Sequence, residues 1–395
     1  MNNKDKDFSR KKQEYKSTLS ENILPFWLNN SLDTDFGGYL TALDRKGGII
    51  DTDKSIWVHG RFAWVLGTAY SDVEQRQEWL DAAGNGLDFL EKYGFDDDGR
   101  MYFRVARDGR PVIKRIRYFF SELFAVSAMA AWCRASGDNS RIKPARELLA
   151  KVISYRSNPD IFIPKFDPVV RPAKGMAVPM ILLNTVQELR RADPENTAEY
   201  NRLIDGFIDE IRGYLNYEHK AVLEQTGPDG ELQDHFEGRL LTPGHAIEAS
   251  WFILAEARER NDAKLTKLGC TILEWMWEWG WDKEYGGIIY FRDVLNKPAS
   301  EYWHDMKFWW PQNEAAIATL MAWSATGNDK YLEWHTRLMD WMEKLFPDRE
   351  YGEWFGYFHR DGRLSTDLKG NMYKGPFHIP RMYYRLWEVL EHAGY

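Results

Sequence analysis

The starts of six helices recur along the chain at steps of 57 to 69 residues, and this regularity constrains the fold more than any other feature. The starts lie near Arg61, Glu122, Pro179, His245, Glu314 and His378. Before four of them stands a Gly- and Asp-rich turn with a short aromatic strand, a pattern typical of a β-hairpin. These hairpin segments are residues 35–48, 96–110, 284–293 and 353–363. The period is longer than that of the common solenoid repeats, so each step has room for more than one helix.

A second helical segment with spaced apolar residues fills each interval, as in residues 142–155 and 330–345. Six such pairs leave no room for a Pro-, Gly- or Ser-rich linker, and the chain contains none. The sequence therefore predicts an all-α fold, an (α/α)6 barrel with short β-hairpins in the loops at one end, in a single domain over residues 1–395. An open helical solenoid is the alternative. Closure would gather all six helix starts around one cavity, where function usually resides on a rigid scaffold.

Composition excludes several classes of protein. Lys and Arg total 52 against 60 Asp and Glu, so the chain lacks the basic excess of a nucleic-acid binder. Cys133 and Cys270 stand far apart, without the spacing of a disulfide framework or a zinc finger. The first residues contain no apolar segment of the secretory kind, and the longest apolar stretch, residues 123–133, is too short to span a bilayer. We expect a cytoplasmic protein with no nucleic-acid or membrane partner.

Two of the nine histidines lie at helix starts in different repeats, which favours a shared chemical role for them. His245 falls in the first turn after a Thr-Pro cap, and Glu248, three residues on, lies on the same helix face. The helix dipole should keep His245 neutral, and the nearby Lys374 and Arg381 should lower the pKa of His378. The structural alternative is a pair of core histidines, with Glu248 an acid that merely suits the first turn.

Two neutral imidazoles that face one cavity suit the removal of a C–H proton next to a carbonyl and its return from the opposite face. The intermediate enolate requires positive charge or hydrogen-bond donors. Arg61, at the first helix start, is a candidate for this role, and Glu314 occupies the same place in the fifth repeat. Spacing alone allows them equally to be polar residues that close the circle of helices.

Aromatic residues make up 15% of the chain, and several of them fall on the loops at the predicted mouth. An aromatic face with polar groups at its edge suits a sugar ring. These loop residues are Trp57, Trp303, Trp309, Trp310 and Trp354. The chain has neither a phosphate-binding glycine loop nor the Gly-x-Ser-x-Gly motif of many serine hydrolases, and we expect no metal ion.

At these residues the sequence resembles the N-acylglucosamine 2-epimerase family, which extends to cellobiose 2-epimerases. The resemblance runs nearly end to end, on residues 37–39, 60–61, 176–180, 244–248, 310–314 and 375–378. It implies an (α/α)6 barrel, usually a homodimer, that interconverts sugars epimeric at C2 through an open-chain form. It also implies that Glu248 supports His245. The residues that it implies are essential are Arg61, His245, Glu314 and His378.

One segment distinguishes the branches of this family. Cellobiose 2-epimerases and mannose isomerases carry a histidine at the third helix start, whereas residues 174–184 here contain none. The segment resembles the N-acetylglucosamine branch, whose N-acyl group could use an apolar pocket. The resemblance thus implies N-acetyl-D-glucosamine and N-acetyl-D-mannosamine as the substrate pair. We expect the sugar to contact Trp57, Met176, Asn184, Trp310 and Trp354.

Other functions stay open at this point. A relative of the same fold could act on mannose, glucose or cellobiose, and a glycoside hydrolase could use Glu248, Glu314 and Asp305 as its carboxylates. A non-catalytic sugar-binding toroid is a further alternative. The proposed chemistry requires no cofactor, while the resemblance allows ATP or a related nucleotide as an allosteric activator.

Overall fold

The computed structural model describes residues 3–115, 119–156, 158 and 167–395, and most of these are helical. The prediction of a mostly helical chain is therefore confirmed. A π-helical segment, Thr18–Ile23, joins the first two helices. The α-helices within the described ranges are α1 Asn3–Ser17, α2 Leu24–Ser31, α3 Ile56–Asp72, α4 Gln77–Tyr93, α5 Phe120–Ser136, α6 Ile142–Tyr155, α7 Ala177–Ala192, α8 Thr197–Arg212, α9 Phe236–Arg239, α10 Pro243–Arg260, α11 Ala263–Gly280, α12 Trp309–Thr326, α13 Asp329–Leu345 and α14 His378–His392.

The long helices pack as six pairs: α3 with α4, α5 with α6, α7 with α8, α10 with α11, α12 with α13, and α14 with α1. The first members of these pairs contact one another in chain order, and α14 returns to contact α3. They are buried almost all round, whereas their partners are amphipathic and face solvent on one side. No helix among the described residues is long and apolar enough to cross a membrane.

Short antiparallel strands form small sheets in the order β1-β2, β3-β4-β5, β6-β9, β7-β8, β10-β11 and β12-β13-β14. Strands β3, β6, β10 and β12 each end within two residues of an inner helix, so these sheets lie at the N-terminal ends of those helices. The strands are β1 Ala42–Leu43, β2 Ile49–Asp51, β3 Lys54–Ser55, β4 Arg104–Val105, β5 Pro111–Ile113, β6 Lys174–Gly175, β7 Leu215–Asn216, β8 Ala221–Val222, β9 Gln225–Thr226, β10 Leu240–Leu241, β11 Arg292–Asp293, β12 Lys307–Phe308, β13 Tyr357–Phe358 and β14 Leu364–Thr366.

Glycines on α3 allow its backbone to approach that of α5 closely. A Cβ atom at Gly60 would lie 2.7 Å from the carbonyl carbon of Phe124, and one at Gly67 would lie 3.0 Å from that of Ala131. A larger residue at either position would push the two helices apart. Because Arg61 directly follows Gly60, this contact also determines where the Arg61 side chain stands.

Three repeats share a buried ion pair at the turn before the helix. The pairs are Asp33–Lys54 at 2.8 Å, Asp282–Lys307 at 2.9 Å and Asp348–Lys369 at 3.0 Å. In each pair the lysine also donates to a glycine carbonyl of that turn. Each lysine therefore joins the turn to a later segment of the chain: Lys54 lies in β3, Lys307 lies in β12 and Lys369 follows β14.

An arginine from a neighbouring hairpin completes each pair, and one of these arginines joins the two ends of the circle. Arg45, in the hairpin of the first repeat, binds Asp348 of the last repeat through its Nε at 2.8 Å. The backbone N–H of Leu43 donates to the Gly370 carbonyl at 3.1 Å, and that of Lys369 donates to the Leu43 carbonyl at 2.9 Å. The first and last hairpin segments are thus joined by backbone and side-chain bonds.

Candidate active site

His378 is the first residue of α14, and a carboxylate on the neighbouring helix holds its ring. Its Nδ1 lies 2.7 Å from Oε1 of Glu314, on α12. Glu314 is fully buried, and its second oxygen accepts a hydrogen bond from the Trp251 indole N–H at 2.7 Å. A carboxylate at this distance places the imidazole proton on Nδ1 and leaves a lone pair on Nε2.

Arg381 lies among the same groups, one helical turn after His378. Its Nη2 lies 2.7 Å from Oε1 of Glu314 and 3.2 Å from Nδ1 of His378, and it also binds the carboxylate of Glu248. From the sequence, Arg381 was predicted only as a positive charge near His378. The i, i+3 spacing from His378 was the available signal that it belongs to the site.

The environment of His378 favours its neutral form. Burial, followed by the positive charges of Arg381 and Arg61, lowers the pKa of His378 well below its ordinary value, while Glu248 acts in the opposite sense. The sequence predicts correctly that the pKa of His378 is lowered, but the causes of the lowering differ in part. Lys374 is paired with Glu353 at 2.6 Å, and burial rather than a neighbouring charge is the largest cause.

His245, on the first turn of α10, has a different carboxylate beside it from the one expected. Its Nδ1 lies 3.0 Å from each carboxylate oxygen of Glu224, in the turn between β8 and β9. Glu248, which the helical spacing predicts beside His245, instead binds Arg381 on α14. This correction has a simple cause: helical spacing predicts neighbours on one helix, and Glu224 arrives from a loop 21 residues earlier in the chain.

The ring of Trp310 lies next to both histidines. Its centroid is 5.0 Å from that of His245 and 5.8 Å from that of His378. The absence of a side chain at Gly244 permits this position, because a Cβ atom there would lie 2.6 Å from the Trp310 ring. Trp310 therefore contacts both imidazoles, each of which is held through Nδ1.

Arg61 stands among three aromatic rings. The carbon of its guanidinium lies 4.2 Å from the centroid of Trp57, 4.3 Å from that of Phe124 and 4.7 Å from that of Phe377. The Trp57 indole N–H in turn donates to the Met372 carbonyl at 3.0 Å, in the loop that leads to His378. Cation–π contacts of this kind orient the flat guanidinium group.

The remaining predicted substrate residues divide between the site and the core. The backbone N–H of Met176 donates to the Glu224 carbonyl at 3.0 Å, so Met176 adjoins the His245 side of the site. Asn184 is half-buried on α7. Trp354 packs against Phe346 and Tyr383 with 2% of its surface exposed, so the prediction that it faces the mouth is wrong.

Glu248, Glu314 and His378 could in principle hold a metal ion, since one ligand atom of each lies within 4.8 Å of the others. Arg381 already contacts all three groups through one nitrogen, Nη2. A guanidinium therefore supplies the positive charge that a metal would bring, and a cation placed among these atoms would meet it. That the protein works without a metal stays a prediction.

Comparison with known proteins identifies the family. The family model for N-acylglucosamine 2-epimerase (GlcNAc 2-epimerase) matches residues 38–376. The chain belongs to the N-acylglucosamine 2-epimerase family. It is 38% identical to the N-acylglucosamine 2-epimerase of Bos taurus, over 91% of this chain and 87% of that one. It is 34% identical to that of Homo sapiens, over 91% and 86%. The cellobiose 2-epimerase of Eubacterium cellulosolvens is more distant, at 25% over 92% and 95%.

Solved structures support the fold of this family member. The cellobiose 2-epimerase from Spirochaeta thermophila superposes with a TM-score of 0.83, at 22% identity, over 98% of both chains. A D-mannose isomerase superposes with a TM-score of 0.81, at 15% identity, over 96% of this chain and 98% of that one. At such identities the likeness concerns the fold alone.

Proposed function

We propose that this chain is a sugar 2-epimerase that interconverts N-acetyl-D-glucosamine and N-acetyl-D-mannosamine. The observation that carries the proposal is the pair of imidazoles next to Trp310, each with Nδ1 against a carboxylate. Two imidazoles held through Nδ1 can use Nε2 as base and as acid, which suits the removal of a proton from one face of a carbon and its return to the other. Family membership supports the reaction class, isomerase, independently of this geometry.

The reaction begins from the open-chain sugar, whose C1 aldehyde makes the C2 hydrogen acidic. Nε2 of His378 takes the C2 proton, and the electron pair of the broken C–H bond forms the C1–C2 double bond of an enolate. Arg61, held flat by aromatic rings, and Arg381 supply positive charge for the enolate oxygen. His245, which is protonated on Nε2 at this stage, gives that proton to C2 from the opposite face and becomes neutral, and the two histidines exchange roles in the reverse direction.

Two observations favour an N-acetyl sugar. Relatives named N-acylglucosamine 2-epimerase are 34% to 38% identical to this chain, whereas those named cellobiose 2-epimerase are 23% to 25% identical. The segment at the third helix start, which includes Met176, contains no histidine, unlike that of the cellobiose and mannose branches, and Met176 adjoins Glu224. An apolar side chain there suits an acyl methyl group better than a hydroxyl. We place Trp57, Trp310 and Asn184 among the substrate contacts.

The wider organisation belongs to the same proposal. The closed order of inner-helix contacts supports an (α/α)6 barrel over an open solenoid, with residues 1–395 as one catalytic domain. The family resemblance supports a homodimer in the cytoplasm, acting on a small-molecule sugar without a required cofactor. It supports ATP or a related nucleotide only as an allosteric activator.

A glycoside hydrolase is the alternative that the fold invites, since a GH76 α-mannanase from Bacteroides thetaiotaomicron superposes with a TM-score of 0.58 at 11% identity. An inverting or retaining hydrolase requires one carboxyl group that is protonated and free to donate. Glu248 accepts a hydrogen bond from Arg381, and the two oxygens of Glu314 accept from Arg381 and from the Trp251 indole, so these oxygens are occupied as acceptors. The arrangement therefore suits an epimerase better.

One experiment separates these functions. The protein is incubated in deuterium oxide with N-acetylglucosamine, N-acetylmannosamine, mannose, glucose or cellobiose, each with and without ATP, and the products are resolved by NMR. We expect interconversion of the two N-acetyl sugars, with deuterium at C2 of the product. His245→Asn and His378→Asn should each abolish turnover with the helical circular dichroism unchanged. Product without solvent deuterium would exclude the two-base mechanism, and free reducing sugar released from an oligosaccharide would favour a hydrolase.

A further inference from the structure

We propose that Glu224 is the positioning residue for His245, so that each catalytic imidazole has its own carboxylate, supplied from a different element. This inference rests on the proposed function. Glu314 reaches His378 from the adjacent inner helix, whereas Glu224 reaches His245 from the turn between β8 and β9. Glu248 is not needed for this task, because it binds Arg381.

The backbone around Glu224 is held from both sides. Its N–H donates to the Leu240 carbonyl at 3.3 Å, and its carbonyl accepts from the N–H of Met176 at 3.0 Å. Strand β9, which starts at the next residue, pairs with β6, which ends just before Met176. The strand leading into α10 and the strand leading into α7 therefore both fix this residue. A carboxylate on such a frame can hold a neighbouring imidazole with little freedom.

The carboxylate determines which nitrogen of His245 performs chemistry. Both of its oxygens lie 3.0 Å from Nδ1, so in the neutral ring the proton resides on Nδ1 and the lone pair on Nε2. When Nε2 takes a proton, the negative charge of Glu224 stabilises the imidazolium that results. Glu224 thus acts on both states through which His245 must pass.

The two histidine–carboxylate pairs are electrostatically unequal. The Glu314 carboxylate also binds Arg381 and the Trp251 indole, so its negative charge is shared with a guanidinium. Among the described residues, the hydrogen bonds of the Glu224 side chain go to His245. Glu224 should therefore favour the protonated form of its histidine more than Glu314 does, which suits His245 to deliver the proton that His378 does not return.

The test compares Glu224→Gln and Glu224→Ala with the wild type. The amide oxygen of Gln can still accept from Nδ1, so this variant keeps the hydrogen bond and loses the charge. The matched control is Glu218→Gln, because Glu218 is exposed six residues earlier in the same hairpin region. We expect Glu224→Gln to lower kcat about 10- to 100-fold, the range of a charge-assisted hydrogen bond, with KM little changed. The control should match the wild type.

Exchange of the C2 hydrogen in deuterium oxide tells positioning from general damage. In Glu224→Gln, the epimer whose C2 proton faces His378 should still exchange with solvent while it fails to epimerise, and the opposite epimer should lose both reactions. Equal loss of exchange for the two epimers, or an unchanged kcat, would overturn the inference.

A third measurement does not depend on turnover. The 15N shifts of the His245 imidazole should report a protonated Nδ1 in the wild type and a shift towards the Nε2–H form in Glu224→Ala. Identical tautomers in the two proteins would overturn the role of Glu224 even if the enzyme acts on another sugar. Conversely, the expected shift in a protein that leaves both N-acetyl sugars unchanged would support Glu224 and refute the proposed substrate.

Discussion

Nη2 of Arg381 lies 2.7 Å from the same Glu314 oxygen that accepts a hydrogen bond from Nδ1 of His378. One carboxylate oxygen therefore connects the candidate base to a buried guanidinium. The arrangement explains how an imidazole next to two glutamates remains neutral: burial and Arg381 together outweigh the acids.

Loss of the Arg381 charge should be visible in the pH profile. Because Arg381 lowers the pKa of His378, Arg381→Gln should raise that pKa, and the acid side of the kcat/KM profile should move to higher pH. The proposed mechanism requires neutral His378, so we expect activity to fall as the pH drops through this pKa. The turnover number should also decrease, since Glu248 and Glu314 lose their partner. Arg363→Gln, at an exposed turn, is the control, and an unshifted acid limb would contradict the assignment.

The position of Trp310 should depend on Gly244. In Gly244→Ala the new methyl group would lie 2.6 Å from the indole, so the ring must leave its present position next to the histidines. We expect a loss of stability of about 1–3 kcal/mol and a larger loss of kcat/KM than of stability alone. Gly206→Ala on α8 is the matched control, because nothing lies within 4 Å of its added Cβ atom. That control should stabilise the protein by about 0.5–1 kcal/mol. Urea unfolding measures both effects, and equal behaviour of the two variants would refute this account of Gly244.

Acid should unfold the protein through the buried aspartates. Burial alone would raise the pKa of Asp33, Asp282 and Asp348, but hydrogen bonds from arginine and lysine hold it well below its ordinary value. A carboxyl group with a depressed folded pKa stabilises the fold above its unfolded pKa, about 3.9, and loses that contribution as the pH falls further. We expect the melting temperature to fall steeply below about pH 4. Asp348→Asn should lower stability at pH 7 by about 3–5 kcal/mol and weaken this acid dependence.

Arg61 should not be replaceable by lysine. Its guanidinium lies within 4.7 Å of three ring centroids, and an ammonium group cannot stack in this way. Arg61→Lys should fold normally and lose at least about tenfold in kcat/KM, mostly in kcat. Trp57→Phe keeps an aromatic face and should lose less. Steady-state kinetics on both epimers provide the comparison, and full activity of Arg61→Lys would show that charge alone suffices.

The helical fold could be predicted from the sequence because the helix pairs repeat their apolar pattern. The expected helix at residues 142–155 is α6, and the expected segment at 330–345 lies within α13. Periodicity reports which face of a helix is buried, and packing followed from it. The buried lysines Lys54, Lys307 and Lys369 could not be predicted in this way, since their burial depends on a partner from another part of the chain.

The sequence predicted only part of the candidate site, and its errors at two residues have one cause. His245, His378, Glu314 and Arg61 were found because they occupy equivalent helix starts. Glu224 was missed because it contacts His245 from a loop, at a distance along the chain that no helical spacing predicts. Trp354 was misplaced because residue type does not tell whether an indole lines a cleft or fills the core. Contacts between loops require the three-dimensional arrangement.

The bond between Arg45 and Asp348 has a consequence for how the protein is made on the ribosome. Its partners are about 300 residues apart, and α1 packs against α14, so the circle of helices cannot close until the last repeat has been synthesised. Such long-range contacts slow folding, and the early repeats must wait with an uncovered edge. His378 lies in the segment that arrives last. A nascent or truncated chain should therefore be rich in helix yet catalytically silent, and it should be a natural client of chaperones.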